Sequence, residues 1–170
     1  MNEIVIRRIG PSDGAVLRRV RLQALEADPT SFGSTYEREA AFTDETWAAS
    51  AARNASGDEM AILLALRHEE AVGLVGAWRD DDRADLFHIF TMWVAPETRR
   101  RGIGRRLLDA IEEWIASCGG TSAQLFVTDT ATAAAQLYDR AGYARDGTVV
   151  ASEHTPGLTE ISMVKDLGNR

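Results

Sequence analysis

From Gly102 to Ser117 the apolar residues Ile103, Leu107, Ile111 and Ile115 recur every four positions, with charged residues between them. That period predicts an amphipathic helix with one face on a core, ended by Gly119-Gly120. The rest of the chain divides by the same rule. Glu3 to Ile9 alternates and predicts a strand, and Pro11-Ser12-Asp13 is a turn and a helix start. Val16, Val20, Leu22 and Leu25 predict a helix over Ala15 to Ala27, stopped by Asp28-Pro29. After a loop at Phe32-Gly33-Ser34, a less regular helical pattern runs from Tyr36 to Arg53. Met60 to Leu66 and Ala71 to Trp78 are apolar runs split by His68-Glu69-Glu70, which predicts a hairpin. A charged turn, Asp80 to Arg83, leads into a long strand, Leu86 to Val94. Gln124 to Val127 reads as a strand, and Ala131 to Arg140 as a helix closed by Gly142. Tyr143 to Val150 and Glu160 to Val164 read as final strands. Strands in succession, then strand-helix-strand-helix, predict a mixed α/β sheet.

No repeat, low-complexity stretch or Pro/Gly-rich linker divides the 170 residues, so one domain over 1–170 is expected. There is no apolar run of membrane-spanning length, and MNEIVIRRIG lacks the basic-then-apolar layout of a signal peptide. The one cysteine, Cys118, has no internal partner, and His68, His88 and His154 are too scattered to form a metal site with it. A reducing, cytoplasmic setting and no metal are therefore expected, with Cys118 a structural thiol. The formal charge of −7 argues against nucleic acid and suits a cationic amine substrate. The long apolar strands are compatible with a homodimer.

Within this acidic chain, Arg99, Arg100, Arg101, Arg105 and Arg106 fall inside eight residues at the start of the Gly102 helix. A helix N-terminus already carries unpaired N–H groups and about half a positive charge, so arginines there call for an anion. Strand, loop, glycine and helix start is the usual architecture for holding phosphate. Gly102 and Gly104 lack a Cβ and permit close approach to the main chain. The third glycine of a dinucleotide fingerprint is missing, and so is the Gly-Lys-Ser/Thr of a P-loop. A pyrophosphate-bearing cofactor of another kind fits best.

Val94-x-Pro96, then Arg99-x-x-Gly102-x-Gly104 leading into a helix, closely resembles the acetyl-coenzyme-A loop of the GNAT N-acetyltransferase superfamily. Leu125-x-Val127, Ala134, Leu137-Tyr138 and Gly142-Tyr143 resemble that superfamily's second motif, and together the match covers Leu86 to Tyr143. The resemblance implies a central, mostly antiparallel twisted sheet of about six to seven strands with a splayed parallel pair, flanked by about four helices. It implies acetyl-CoA as cosubstrate, with the pyrophosphate on the main-chain N–H groups of Arg100 to Arg105. Arginine side chains would reach the phosphates. The pantetheine arm would pair like a guest strand with Met92 to Val94. The implied cofactor-binding residues are Met92, Trp93, Val94, Arg99, Arg100, Arg101, Gly102, Ile103, Gly104 and Arg105. Tyr138 stands where the family usually places the acid that protonates the departing thiolate. His88 stands where arylalkylamine acetyltransferases have a histidine, which implies a base acting through water. Strand alternation predicts His88, Phe90, Met92 and Val94 on one face, with Asp85 placed to orient His88. The asparagine usual seven residues before the tyrosine is Ala131 here; Asp129, Thr130, Thr132 or water would have to replace it.

The implied reaction is direct transfer of acetyl to a primary amine of a small molecule or peptide, with the Val94 N–H stabilising the oxyanion. The acceptor would lie under Arg21 to Trp47, with Glu37, Glu39 and Glu153 attracting an ammonium and Phe32, Tyr36 and Trp47 packing an apolar part. The tail Glu153-His154-Thr155-Pro156-Gly157 would close the other side. Two other readings compete. Ala131 favours a non-catalytic acyl-CoA-binding module of the same fold. The arginine cluster alone would suit a nucleic-acid binder, but Asp109, Glu112 and Glu113 on the following helix oppose it.

Overall fold

The computed structural model describes residues 3–153 and 155–168, so His154 lies outside the described residues. The elements are β1 (Ile4–Arg8), α1 (Gly14–Ala27), α2 (Tyr36–Ala40), α3 (Asp44–Asn54), β2 (Met60–Arg67), β3 (Glu70–Arg79), β4 (Leu86–Val94), α4 (Ile103–Ser117), β5 (Ser122–Thr128), α5 (Thr132–Arg140), β6 (Ala144–Ala151) and β7 (Thr159–Asp166). No helix among the described residues is long and apolar enough to cross a membrane.

The pattern from Tyr36 to Arg53 is two helices, not one, which makes five among the described residues. The Thr43 hydroxyl accepts from the Thr46 N–H and starts α3, while Phe42, just before that cap, packs on Trp47 at 5.7 Å. This is a hydrophobic staple, which fixes a new helix start where the apolar period falters. The β2–β3 connection is a two-residue turn at His68 and Glu69, both left-handed (φ 49° and 69°), the geometry whose twist matches a hairpin.

The seven strands form one sheet in the order β1-β2-β3-β4-β5-β7-β6. Every neighbouring pair is antiparallel except β4–β5. That parallel pair is joined only from Leu86↔Ser122 to Ile89↔Leu125, and beyond it the two strands diverge. The sheet is therefore forked on the C-terminal side of β4 and β5.

The stripe Ile103, Leu107, Ile111 and Ile115 of α4 is fully buried on the sheet face that carries Gly73, whose bare Cα faces the Leu107 side chain. α1 lies on the other face, where Trp93, opposite Leu74, donates its indole N–H to Asp28 at 2.7 Å.

β4 carries the irregularity that shapes the fork. Trp93 pairs with Leu74 and Phe90 with Gly76, so Thr91 and Met92 together stand opposite Val75. Such a bulge bends the strand and reverses its alternation. Thr91 takes φ 55°, a left-handed conformation costing about 1–2 kcal/mol and rare for a β-branched residue. The single face predicted for His88, Phe90, Met92 and Val94 is thereby corrected. His88 and Phe90, opposite Trp78 and Gly76, face the α1 side. Met92 and Val94 lie against Gly104 on the α4 side.

Candidate active site

The fork mouth and the start of α4 meet. Gly102 caps the helix at φ 73°, a conformation that only glycine adopts freely. The Arg106 N–H closes the first helical bond onto Gly102 O at 3.0 Å, which leaves the N–H groups of Ile103, Gly104 and Arg105 at the helix start. A Cβ on Gly104 would sit 3.3 Å from Leu137 Cδ2 and 3.5 Å from Met92 Cε, so the bare Cα lets α4 close on the fork wall. The Ala95 N–H bonds Val72 O across β3 at 2.8 Å. Because N–H groups alternate along a strand, the Val94 N–H turns the other way, toward the gap.

The arginines divide by task. Arg99 donates through Nε to Val94 O at 2.8 Å and through Nη2 to Asp28 at 2.5 Å, tying β4 to the end of α1. Arg105 pairs with Asp109 one turn on, at 2.8 Å, and this pairing raises its pKa. Arg106 reaches back to Ile4 O at 2.9 Å. Arg100, with φ 62°, and Arg101 are exposed. Neither makes an ion pair or side-chain hydrogen bond with another described residue. Open N–H groups, a glycine-lined wall and two unengaged guanidinium groups fit a pyrophosphate with an extended arm.

Tyr138 is buried on α5, edge-on to Tyr143 with ring centroids 6.0 Å apart. Burial pushes its phenol well above the ordinary value, so it keeps its proton through the neutral range. Its neighbour on α5, Leu137, is the side chain that touches Gly104. Tyr143 donates to buried Glu112 at 3.0 Å, and Lys165 Nζ donates to the other Glu112 oxygen at 2.8 Å. Glu112 is thus an internal anchor and not part of an acidic surface.

His88 lies in the joined part of β4, opposite Gln124 and one residue before the last paired position. Its Nε2 is 2.7 Å from Asp80 Oδ2, and its ring stacks on Trp78 at 4.2 Å. The hydrogen bond from His88 is the main reason that the Asp80 carboxyl is held below the usual range. An ionised carboxylate only accepts, so Nε2 carries the hydrogen and Nδ1 is the basic nitrogen. Asp85, the partner expected from sequence, pairs instead with Arg83 at 3.0 Å. Asp80 is not legible as the partner in sequence, because it lies eight residues from His88. The β3–β4 register, which sets Trp78 against His88, is the signal that reveals it.

On the acceptor side, Phe32 and Trp47 are buried in the core, whereas Tyr36 is exposed. Glu39 is buried and bound at both oxygens by Arg21, each at 2.9 Å, so it is not open to an ammonium. Glu37 and Glu153 are exposed. Phe90 and Phe126 are exposed beside the fork, and the Phe90 ring covers Gly76, where a Cβ would come within 2.5 Å of it. A Cβ on Gly33 of the α1–α2 loop would sit 3.7 Å from Glu160 Oε1 of β7. Ala131 caps α5 without a side-chain bond; Asp129 and Thr130 are exposed, and so is Thr132. Among the described residues no group of three or more His, Cys, Asp or Glu could hold a metal.

A seven-stranded sheet forked beside a phosphate-ready helix start is an acetyltransferase architecture, and the comparisons agree. Residues 21–143 match the acetyltransferase (GNAT) family, and the chain belongs to it. Its fold is shared with a GNAT-family acetyltransferase from Streptococcus pneumoniae, at 25% identity over 98% of this chain and 100% of that one, with TM-score 0.83. The PaiA N-acetyltransferase of Thermoplasma acidophilum, solved with coenzyme A, matches at 17% identity over 96% and 99% of the two chains, with TM-score 0.76. YncA of Salmonella typhimurium, solved with acetyl-CoA, matches at 15% identity over 99% and 96%, with TM-score 0.80. A comparison with curated protein sequences found no match.

Proposed function

We propose that this protein is a cytoplasmic, acetyl-CoA-dependent N-acetyltransferase that acts on a primary amine of a small molecule or peptide by direct transfer. The observation that carries the reading is the fork itself: an unpaired strand end on β4, next to the open N-terminus of α4. Acetyl-CoA supplies the activated acetyl thioester. The loop from Arg99 to Arg105 binds phosphate, with Arg100 and Arg101 free to contribute charge, and Met92 to Val94 offer main-chain partners along the gap. The Val94 N–H stabilises oxyanion charge. Tyr138 holds a proton for the departing sulfur. His88 takes the amine proton at Nδ1 through water, with Asp80 fixing its tautomer and the stacked Trp78 ring fixing its orientation. Cys118 sits at the far end of α4, roughly 22 Å from the helix start at 1.5 Å per residue, which keeps its thiol away from the acyl group.

Phe90 and Phe126 flank the gap on the acceptor side, and the charge of −7 favours a cation. An amine with an apolar body therefore suits this face better than a purely polar one. The test is thiol release from acetyl-CoA with aryl, alkyl, amino-acid and peptide amines, run beside melting curves with acetyl-CoA, NAD, ATP and a DNA duplex. At 100 times its dissociation constant a ligand adds about 2.7 kcal/mol, a rise of roughly 5–10 °C for this size. A rise with acetyl-CoA alone, together with turnover, supports the reading. A rise without turnover on any amine supports the non-catalytic acyl-CoA-binding alternative, which the bare Ala131 cap of α5 favours. No rise refutes both.

A further inference from the structure

Thr91 holds a left-handed conformation, φ 55°, at the point where β4 bulges. Threonine does not adopt that conformation unaided, and it persists only where surrounding contacts over-determine it. Pairing with β3 flanks the bulge on both sides, and one side chain adds a constraint at Thr91 itself. Arg21 Nη1 donates to Thr91 Oγ1 at 2.8 Å. The guanidinium is itself fixed: its Nε and Nη2 donate to the two Glu39 oxygens at 2.9 Å each, and its central carbon lies 4.8 Å from the centre of the Phe32 ring. A bidentate carboxylate and an aromatic face leave such a group little freedom.

The three holding residues belong to the elements over the acceptor side: Arg21 to α1, Phe32 to the α1–α2 loop and Glu39 to α2. What they hold is the wall of the cofactor slot. The bulge turns Met92 and Val94 toward Gly104. Without the extra residue, alternation would place Val94 on the His88 face and turn its N–H away from the gap.

We infer that Arg21 is a positioning residue for acetyl transfer: it locks the Thr91 bulge from the acceptor side, so that the cofactor slot is shaped only while α1 and α2 are seated. The inference rests on the acetyltransferase reading of the fork. It assigns no chemistry to Arg21, which acts through Thr91 on the main chain of β4.

Glycine adopts φ 55° without help, so Thr91→Gly should make the bulge independent of Arg21. Because Arg21→Met alone leaves Glu39 buried and unpaired, the pair Arg21→Met/Glu39→Leu is made as well. Each is placed both in the otherwise wild-type chain and in the Thr91→Gly variant. The acetyl-CoA dissociation constant is measured by calorimetry, kcat/KM for acetyl-CoA by thiol release, and the melting temperature alongside. Removing the clamp from the otherwise wild-type chain is expected to weaken acetyl-CoA binding and kcat/KM by tenfold or more. In the Thr91→Gly variant the same removal should cost less than threefold. A purely structural clamp would give equal losses in both backgrounds, and that result overturns the inference. Wild-type protein that binds acetyl-CoA but acetylates no amine would refute the enzyme reading, and the affinity losses would still decide the role of Arg21. Wild-type protein that does not bind acetyl-CoA overturns both.

Discussion

Tyr138 and His88, the proposed acid and base, differ in how far each is legible in the sequence. The position of Tyr138 follows from the Leu137-Tyr138 motif, and its burial follows from the apolar face of α5. Tyr138→Phe keeps the ring packing and removes only the hydroxyl that would carry the proton. Turnover should fall about 10²-fold or more, while acetyl-CoA affinity, read by calorimetry, stays within threefold. Equal turnover in the variant would remove Tyr138 from the mechanism. His88 is legible as a candidate, but its surroundings are not. Asp80 meets it through the β3–β4 turn, and Trp78 through a cross-strand register that no periodicity fixes. His88→Ala is expected to lower kcat/KM about 10²-fold or more while acetyl-CoA affinity, read by calorimetry, stays within threefold; an unchanged kcat/KM would assign the base elsewhere. The clamp that joins Arg21, Glu39 and Thr91 leaves no mark in the sequence, because a helix arginine, a helix glutamate and a strand threonine are individually ordinary.

At the arginine-bearing start of α4, one cluster in the sequence becomes three tasks in the structure. The glycine pattern and the amphipathic stripe define the helix and its N-terminus. They do not show that Asp28, at the end of α1, engages Arg99 and Trp93 together. The division can be tested. Arg99→Ala should lower the melting temperature, because it removes one of the two bonds by which Asp28 ties the end of β4 to α1. Arg100→Ala/Arg101→Ala should leave the melting temperature of the free protein unchanged and weaken acetyl-CoA binding about tenfold to hundredfold, roughly 1.4–2.8 kcal/mol. That loss should shrink as salt is raised. Gly102→Ala meets no steric obstacle, so its cost is that of φ 73° alone. This is about 1–2 kcal/mol, or roughly 2–8 °C in melting temperature. The helical stretch from Tyr36 to Arg53 reads as one element because a helix-starting contact, Phe42 on Trp47, looks in sequence like a continuing apolar period.

Across the whole molecule, most element boundaries fall within a few residues of those the hydrophobic pattern predicts, and the splayed parallel pair follows from the family resemblance. The β4 bulge does not, since one extra residue leaves composition and average spacing unchanged while reversing every later side chain. The stability of the assembled fold should depend on alkaline pH. Burial raises the phenols of both Tyr138 and Tyr143, and Glu112 raises Tyr143 further. A raised pKa means that the folded state keeps protons which the unfolded chain releases first. The resulting stabilisation is complete below about pH 10, the unfolded value, and is lost as pH climbs beyond it. Urea midpoints measured from about pH 7 to 11 should fall above about pH 10, and Tyr143→Phe should flatten that decline.

The fork also makes the free protein its own sensor. From Phe90 to Val94 the strand has a neighbour on one side only, since β5 has parted from it after Leu125. Amides on the open side have no partner strand to shield them from solvent, so in deuterated water they should exchange far sooner than those of the joined rows. A molecule that fills the gap as a guest strand would slow those few amides first, leaving the rest of the sheet as an internal clock. Occupancy of the slot can thus be timed residue by residue, without an acceptor, a label or any turnover.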